Sequence, residues 1–254
     1  MRAIGSVSPL LLVGPSWVGD MVMAASLIEV LRLREPGRPI DVLAPPASLP
    51  VARMVPGVRR TIPLGLSHGE LGLLARWRVG RSLRDEGYSK AIILPRAFKA
   101  ALLPFAAGIP ERVGYQGEWR SPLLTDARPD PNRKTARTID RFVALALPEG
   151  AMAAPSPRPH LILPDGARDM AAKKFPLSGA GPVLVLCPGA EFGPSKRWPA
   201  AHYGALAGMA IAAGWRVRVL GSARDAEAGA AVVAACDGAN AGQVGERLED
   251  DGQE

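Results

Sequence analysis

A carboxylate at the start of a helix, Asp20, and a lysine in a glycine-bearing loop, Lys196, stand out as candidate reacting groups. Asp20 closes the stretch Gly14-Pro15-Ser16-Trp17-Val18-Gly19-Asp20, between the apolar run Leu10–Val13 and the helical pattern Met21–Leu27. Strand, tight turn and helix start follow one another, and in an open α/β sheet ligands bind at such a point. The spacing matches neither G-x-G-x-x-G nor the G-x-x-x-x-G-K-[ST] phosphate loop, because Asp20 stands where a lysine would be. A carboxylate there repels phosphate and suits a sugar hydroxyl. The same placement also suits a residue that only complements the helix N-terminus.

The second stretch is Cys187-Pro188-Gly189-Ala190-Glu191-Phe192-Gly193-Pro194-Ser195-Lys196-Arg197-Trp198-Pro199. It leaves the apolar run Val183–Leu186 and feeds a helix with proline at its first position. Backbone N–H groups with a lysine at a strand-to-helix loop can cradle a pyrophosphate; an exposed loop with ordinary surface charge reads the same way. Gly221-Ser222-Ala223-Arg224-Asp225, at the end of the next strand, offers Ser222 and Asp225 to a ribose or base, or is a plain turn into a helix.

The elements that carry these loops alternate. Strands are expected at 10–13, 40–44, 58–62, 91–94 and 112–114, with helices from Asp20 and over 51–54, 69–86, 96–108 and 135–147. Residues 148–165 hold five prolines among small residues and read as a semi-rigid linker. The pattern then restarts, with a helix at 166–175, strands at 183–187 and 215–220, and helices at 199–213 and 226–235. The expectation is an α/β protein with two Rossmann-like, doubly wound domains facing one cleft: 1–150, a linker 151–165, and 166–238.

Composition narrows the function. Residues 1–165 hold 22 Lys and Arg against 14 Asp and Glu, whereas 166–254 hold 9 against 10, so the basic surplus of the whole chain, +7, lies in the first half. That half is expected to face an anionic partner. Nucleic acid is a poor fit, because only 5% of residues are aromatic and no basic helix interleaves aromatics. A serine hydrolase is set aside, since Gly14-Pro15-Ser16-Trp17-Val18 misses the G-x-S-x-G elbow and His68, His160 and His202 show no partner pattern. Cys187 and Cys236 are too far apart to suggest a metal site, and Cys187 is expected to be a buried small hydrophobe. No run reaches the length of a signal or transmembrane segment, so the expected location is cytoplasmic.

Taken in order, G-P-S-W-V-G-D-M, L-P-R-A-F-K-A-A-L-L-P-F-A-A-G-I-P, C-P-G-A-E-F-G-P-S-K-R-W-P and G-S-A-R-D-A-E-A-G resemble the lipopolysaccharide heptosyltransferase II family, in glycosyltransferase family 9. The resemblance covers about residues 10–237. It implies a GT-B fold, with an acceptor-binding first domain and a donor-binding second domain. The implied reaction moves heptose, with inversion and no metal or cofactor, from ADP-L-glycero-β-D-manno-heptose to the first heptose of a heptosyl-Kdo2-lipid A type acceptor. Asp20 would be the general base and Lys196 the cation that neutralises departing ADP. Gly189 and Ala190 would line the pyrophosphate, and Ser222 and Asp225 would lie near the ribose or base. Arg96, Lys99 and Arg120 are candidates for touching the phosphorylated, carboxylated acceptor, on charge and loop position alone. A monomer at the inner face of the inner membrane is implied.

The chain departs from that family after Gly238. The N-L-x-G-x-T and D-S-G-x-x-H segments are absent, and the last nine residues carry five acids and one base, so 239–254 are expected to be disordered. Early termination, through a frameshift just before this tail, is the expected cause. The alternative function is then a non-catalytic homologue that only binds the anionic acceptor.

Overall fold

The computed structural model describes residues 7–66, 71–130, 134–151, 155–176, 180–190 and 194–236. The tail 239–254, His68 and residues 191–193 lie outside the described residues. The chain divides into two compact units at Pro164 and Asp165.

The first unit is built on six parallel strands: β1 (Leu10–Val13), β2 (Ile40–Ala44), β3 (Val58–Pro63), β4 (Lys90–Ile93), β5 (Glu111–Tyr115) and β6 (Asp126–Arg128). They lie in the order β3-β2-β1-β4-β5-β6. Five helices accompany them: α1 (Val18–Arg34), α2 (Leu49–Arg53), α3 (Leu73–Ser82), α4 (Phe98–Ala106) and α5 (Thr138–Ala144). A strand's side chains alternate between faces, and here both faces are buried. Leu10, Leu12, Val42, Ile92 and Val113 pack with α1, α2 and α5, while Leu11, Val13, Leu43, Ala91 and Ile93 pack with residues of α4. Burial on both faces explains why β1, β2 and β4, in the middle of the sheet, are nearly continuous apolar runs. The chain winds outward through β2 and β3, then returns to β4 on the other side of β1, so the strand order reverses between β1 and β4.

Several boundaries differ from expectation. Helix α1 begins at Val18, with extended Trp17 at its N-cap, so Asp20 is the third helical residue rather than the first. Helix α5 begins at Thr138 because Arg137 is extended. Strand β6 went unforeseen because Asp-Ala-Arg carries no apolar run. The proline-rich segment read as a linker is packed on the first unit as far as it is described. Ser26 Oγ donates to Pro157 O at 2.6 Å, Ser156 Oγ to Asp140 Oδ1 at 2.7 Å and Ile162 N to Met54 O at 2.8 Å, while Leu161 packs against the core. Prolines lack an amide donor, but their carbonyls and neighbours dock readily.

The second unit contains α6 (Ala167–Lys174), β7 (Val183–Leu186), α7 (Ala200–Ala212), β8 (Arg216–Val219) and α8 (Ala226–Ala235). Strands β7 and β8 pair in parallel, and Leu186, Ala207, Val217, Val219, Val232 and Cys236 form the core. Gly204 lets α7 press onto α8, since a Cβ there would meet the Ala235 carbonyl carbon at 2.6 Å. Pro199 is the N-cap of α7, one place earlier than expected. Cys187, expected to be buried, is exposed, as is Val185. Among the described residues β7 has only β8 as a neighbour, so part of its surface stays uncovered.

Candidate functional site

Asp20 owes its position to small residues at the end of β1. A Cβ on Gly14 would meet the Met21 terminal methyl at 2.6 Å, so its absence lets the first turn of α1 settle onto the strand end. Ser48 Oγ pins the intervening turn by donating to Pro15 O at 2.6 Å, and Met21 N closes the helix on Trp17 O at 2.9 Å. The Asp20 side chain, partly exposed, makes no hydrogen bond among the described residues. Partial burial raises its pKa above the usual carboxylate value, and the charge of Arg141 opposes that rise.

Arg141 is itself fixed. Its guanidinium grips Asp130 with two hydrogen bonds, Nε to Oδ1 at 3.0 Å and Nη2 to Oδ2, and lies over the Tyr115 ring at 5.5 Å. Tyr115 returns a hydrogen bond from its hydroxyl to Arg141 O at 2.7 Å. The Asp130 side chain is only 4% exposed. Arg96 approaches Asp130 as well, Nη1 to Oδ2 at 3.5 Å, a distance that gives charge contact without a hydrogen bond. Its Nε and Nη2 donate to Gln116 O at 3.1 and 2.7 Å. The sequence reading missed Arg141, Asp130 and Tyr115, which come from α5, the loop after β6 and the end of β5.

A cavity of about 140 Å³ opens at the strand ends, where the order reverses. Val13, Gly14 and Ser16 line it from the β1 side, Leu43, Pro45 and Leu64 from the β2 and β3 side, and Pro95, Ala97, Lys99 and Ala100 from the β4 side. Lys99 thus borders the crevice. Arg76 of α3 also reaches it, 95% buried with Nε donating to Leu71 O at 2.9 Å. One arginine in an arginine-rich helix gives no sequence signal of that inward turn.

Arg120 requires a correction. It was expected to touch the acceptor, but it is fully buried. Its Nε and Nη2 donate to Tyr115 O at 2.8 and 2.6 Å, and Nη1 donates to Pro95 O. Burial lowers its pKa to about 10. The absence of a side chain at Gly114 leaves room for it. Arg120 therefore ties the end of β5 to the end of β4, and the loop before it carries Glu118 and Trp119 in the left-handed region, φ 42° and 60°. Glu118 Oε2 accepts from Phe98 N at 3.0 Å at the start of α4, and Trp119 stands 94% exposed.

In the second unit Ser222, Asp225 and Gly189 come together. Asp225 Oδ2 accepts from Ser222 N at 2.9 Å and from Ser222 Oγ at 2.8 Å, so it caps its own turn and its pKa falls. A Cβ on Gly189 would run into the Asp225 carboxylate. A cavity of about 200 Å³ lies beside them, lined by Pro188, Gly221, Ser222, Asp225 and the α8 residues Ala226, Gly229, Ala230 and Val233. The α8 residues that line it are small or apolar, beside the one carboxylate of Asp225. Ala190 O accepts from Arg197 Nη2 at 3.2 Å, so Arg197 braces the loop, while Lys196 stands exposed in the turn Pro194–Lys196. Among the described residues no cluster of His, Cys, Asp or Glu could hold a metal ion.

A doubly wound parallel sheet with a crevice at its switch point is thus followed by a second parallel α/β unit with a crevice of its own. Comparison with known proteins carries this further. The pattern of glycosyltransferase family 9 (heptosyltransferase) matches residues 76–243. Lipopolysaccharide heptosyltransferase 2 of Salmonella typhimurium is 44% identical over 232 residues, covering 89% of this chain and 67% of the relative. The solved structure of Escherichia coli ADP-heptose lps heptosyltransferase II superposes with a TM-score of 0.83 at 39% identity, covering 94% of this chain and 71% of that one. A family 9 glycosyl transferase from Veillonella parvula shares the fold, with a TM-score of 0.80 at 18% identity. The chain belongs to glycosyltransferase family 9, the heptosyltransferases.

Proposed function

We propose that this chain carries the acceptor site and part of the donor site of an inverting heptosyltransferase that uses ADP-L-glycero-β-D-manno-heptose. The acceptor is the first heptose of a lipopolysaccharide inner core, of the heptosyl-Kdo2-lipid A type. The observation that carries this reading is Asp20, a carboxylate at the carboxyl edge of the sheet with no hydrogen bond among the described residues, raised in pKa and faced by a fixed arginine. Such a group is free to take a proton and is more basic than an ordinary carboxylate.

In the reaction the acceptor hydroxyl oxygen bonds to the anomeric carbon while its proton passes to an Asp20 oxygen. The bond from that carbon to the phosphate oxygen breaks, ADP leaves with the electron pair, and a single displacement inverts the configuration. Lys196 offsets charge as it builds on ADP. Gly189 and Ala190 present backbone to the pyrophosphate, and Ser222 and Asp225 border the nucleoside cavity. Lys99 and Arg76 give the acceptor crevice its positive charge, and Arg96, between the lining residues Pro95 and Ala97 in sequence, adds to it. No metal or cofactor has a role, and the protein works as a cytoplasmic monomer at the inner membrane.

The test is transfer from ADP-heptose to a heptosyl-Kdo2-lipid A acceptor, followed by mass spectrometry of the product. Addition of one heptose by the parent chain, with loss of turnover and weaker ADP binding in Lys196→Ala, is the expected result. A chain that binds ADP and acceptor but never adds heptose overturns the enzymatic assignment.

A further inference from the structure

Helix α3 of the first unit lies outside both cavities apart from Arg76, and its outward face has an unusual composition. At about 100° per residue, Leu73, Leu74, Trp77, Arg78 and Arg81 fall within an arc of about 140°, and all five are exposed. Leu74 is 74% exposed and Trp77 38%. Gly80, which on the same count lies just beyond Leu73 at the edge of that arc, packs against α4: a Cβ there would meet Leu103 O at 2.5 Å. That close approach sets Phe105 of α4, 40% exposed, beside Trp77, with ring centroids 6.4 Å apart. The apolar face is therefore continuous across two helices.

Its charge has one sign. The sequence of α3 contains no acid, and neither Arg78 nor Arg81 forms an ion pair among the described residues. The acids that follow the helix are Asp85 and Glu86, and Glu86 is paired with Arg60 at 2.6 Å. Leucine and tryptophan interleaved with arginine on one exposed helical face match a bilayer interface. The aromatic ring and leucines enter the headgroup boundary, and the guanidinium groups meet anionic headgroups. A protein partner would need acids of its own to meet this arc, whereas an anionic bilayer supplies them as a continuous sheet.

We infer that the α3–α4 face, centred on Leu74, Trp77, Arg78, Arg81 and Phe105, docks the first unit on an anionic lipid surface. The inference rests on the proposed function only for its purpose, to bring the acceptor crevice to a lipid-borne substrate. No described helix is long and apolar enough to cross a membrane, so this face would lie on the bilayer.

The test uses the full chain with acceptor-free vesicles of phosphatidylethanolamine and phosphatidylglycerol, and with neutral phosphatidylcholine vesicles as the comparison. Co-sedimentation with the anionic vesicles, weakened by salt, is expected. Neutralising both arginines (Arg78→Gln with Arg81→Gln) should weaken binding about 30-fold, from the usual contribution of about fivefold per basic residue at such a surface. Leu74→Glu should weaken it further, and because Leu74 is largely exposed the fold is expected to survive, as an unchanged Tm would verify. Brominated lipid should quench the parent's fluorescence, and Trp77→Phe should remove that quenching whereas Trp119→Phe should not. Equal binding by the charge variant, equal affinity for neutral vesicles, or quenching that depends on Trp119 alone would each overturn the inference. Because no acceptor is present, failure of heptose transfer leaves this measurement intact, and failure to bind vesicles leaves the transfer assay intact.

Discussion

Replacing Asp20 by asparagine separates the chemistry of this carboxylate from its contribution to stability. Three effects act on the ionised group in the folded chain. Position in the first turn of α1 favours the charge, Arg141 favours it, and burial disfavours it; the raised pKa shows that burial wins. A carboxyl whose folded pKa lies above its unfolded value stabilises the fold only while protonated. That contribution is complete below the unfolded pKa, near 4, and disappears as pH rises through the folded pKa. At pH 7 the ion is therefore a net cost, so Asp20→Asn should leave Tm unchanged or higher. Turnover should respond in the opposite sense. General base catalysis contributes about 10²- to 10⁴-fold. The other carboxylate of the cluster, Asp130, is 4% exposed and doubly held by Arg141, so it cannot stand in. The loss should then lie toward the upper part of that range, about 10³- to 10⁴-fold, or roughly 4–5.5 kcal/mol of transition-state stabilisation. The assay is initial-rate transfer from ADP-heptose under saturating acceptor, with thermal unfolding of both proteins at pH 7. A variant within tenfold of the parent rate, correctly folded, would refute the role of Asp20. A marked fall in Tm would refute the electrostatic account.

Three further outcomes follow from the same geometry. Arg141→Met removes the charge that holds the Asp20 pKa down, so the acidic limb of the pH profile for kcat/KM should move to higher pH; an unmoved limb would dissociate Arg141 from Asp20. Asp41 is fully buried, receives 2.8 and 2.5 Å hydrogen bonds from Arg59, 2.9 Å from Arg60 and 2.5 Å from the Tyr88 hydroxyl, and its pKa is lowered despite burial. Asp41→Asn should cost about 2–3 kcal/mol in urea unfolding at pH 7, less than a wholly buried pair because both arginines remain half in water. A lowered folded pKa means that this stabilisation is present above the unfolded pKa and fades as pH falls through the folded one, so the gap between parent and variant should close in acid. Gly189→Ala pushes a methyl group into the Asp225 carboxylate and should disturb its two bonds to Ser222. ADP affinity by calorimetry is expected to fall about five- to tenfold, the effect of roughly 1–1.4 kcal/mol, and an unchanged affinity would remove this corner from the donor site.

The sequence determined the architecture because buried parallel strands and their helices write themselves as short apolar runs and helical spacing. Leu10–Val13, Ile40–Ala44 and Val183–Leu186 were legible for that reason, and so was Asp20 beside a strand end. It could not supply β6, whose Asp-Ala-Arg is held by backbone pairing that leaves no apolar trace. Nor could it reveal which arginines turn inward, because an arginine carries both a hydrophobic stem and a charge and can be placed either way. Tertiary structure alone decided that Arg120 serves the backbone of Tyr115 and Pro95, that Arg76 lines a cavity, and that Arg78 and Arg81 face outward. The charge that acts on Asp20 was equally hidden, since Arg141 and the groups that hold it, Asp130 and Tyr115, lie more than ninety residues away and meet only when β5, the loop after β6 and α5 pack together. Periodicity records which face of an element is buried; the pairing of polar groups across elements is fixed only when those faces pack.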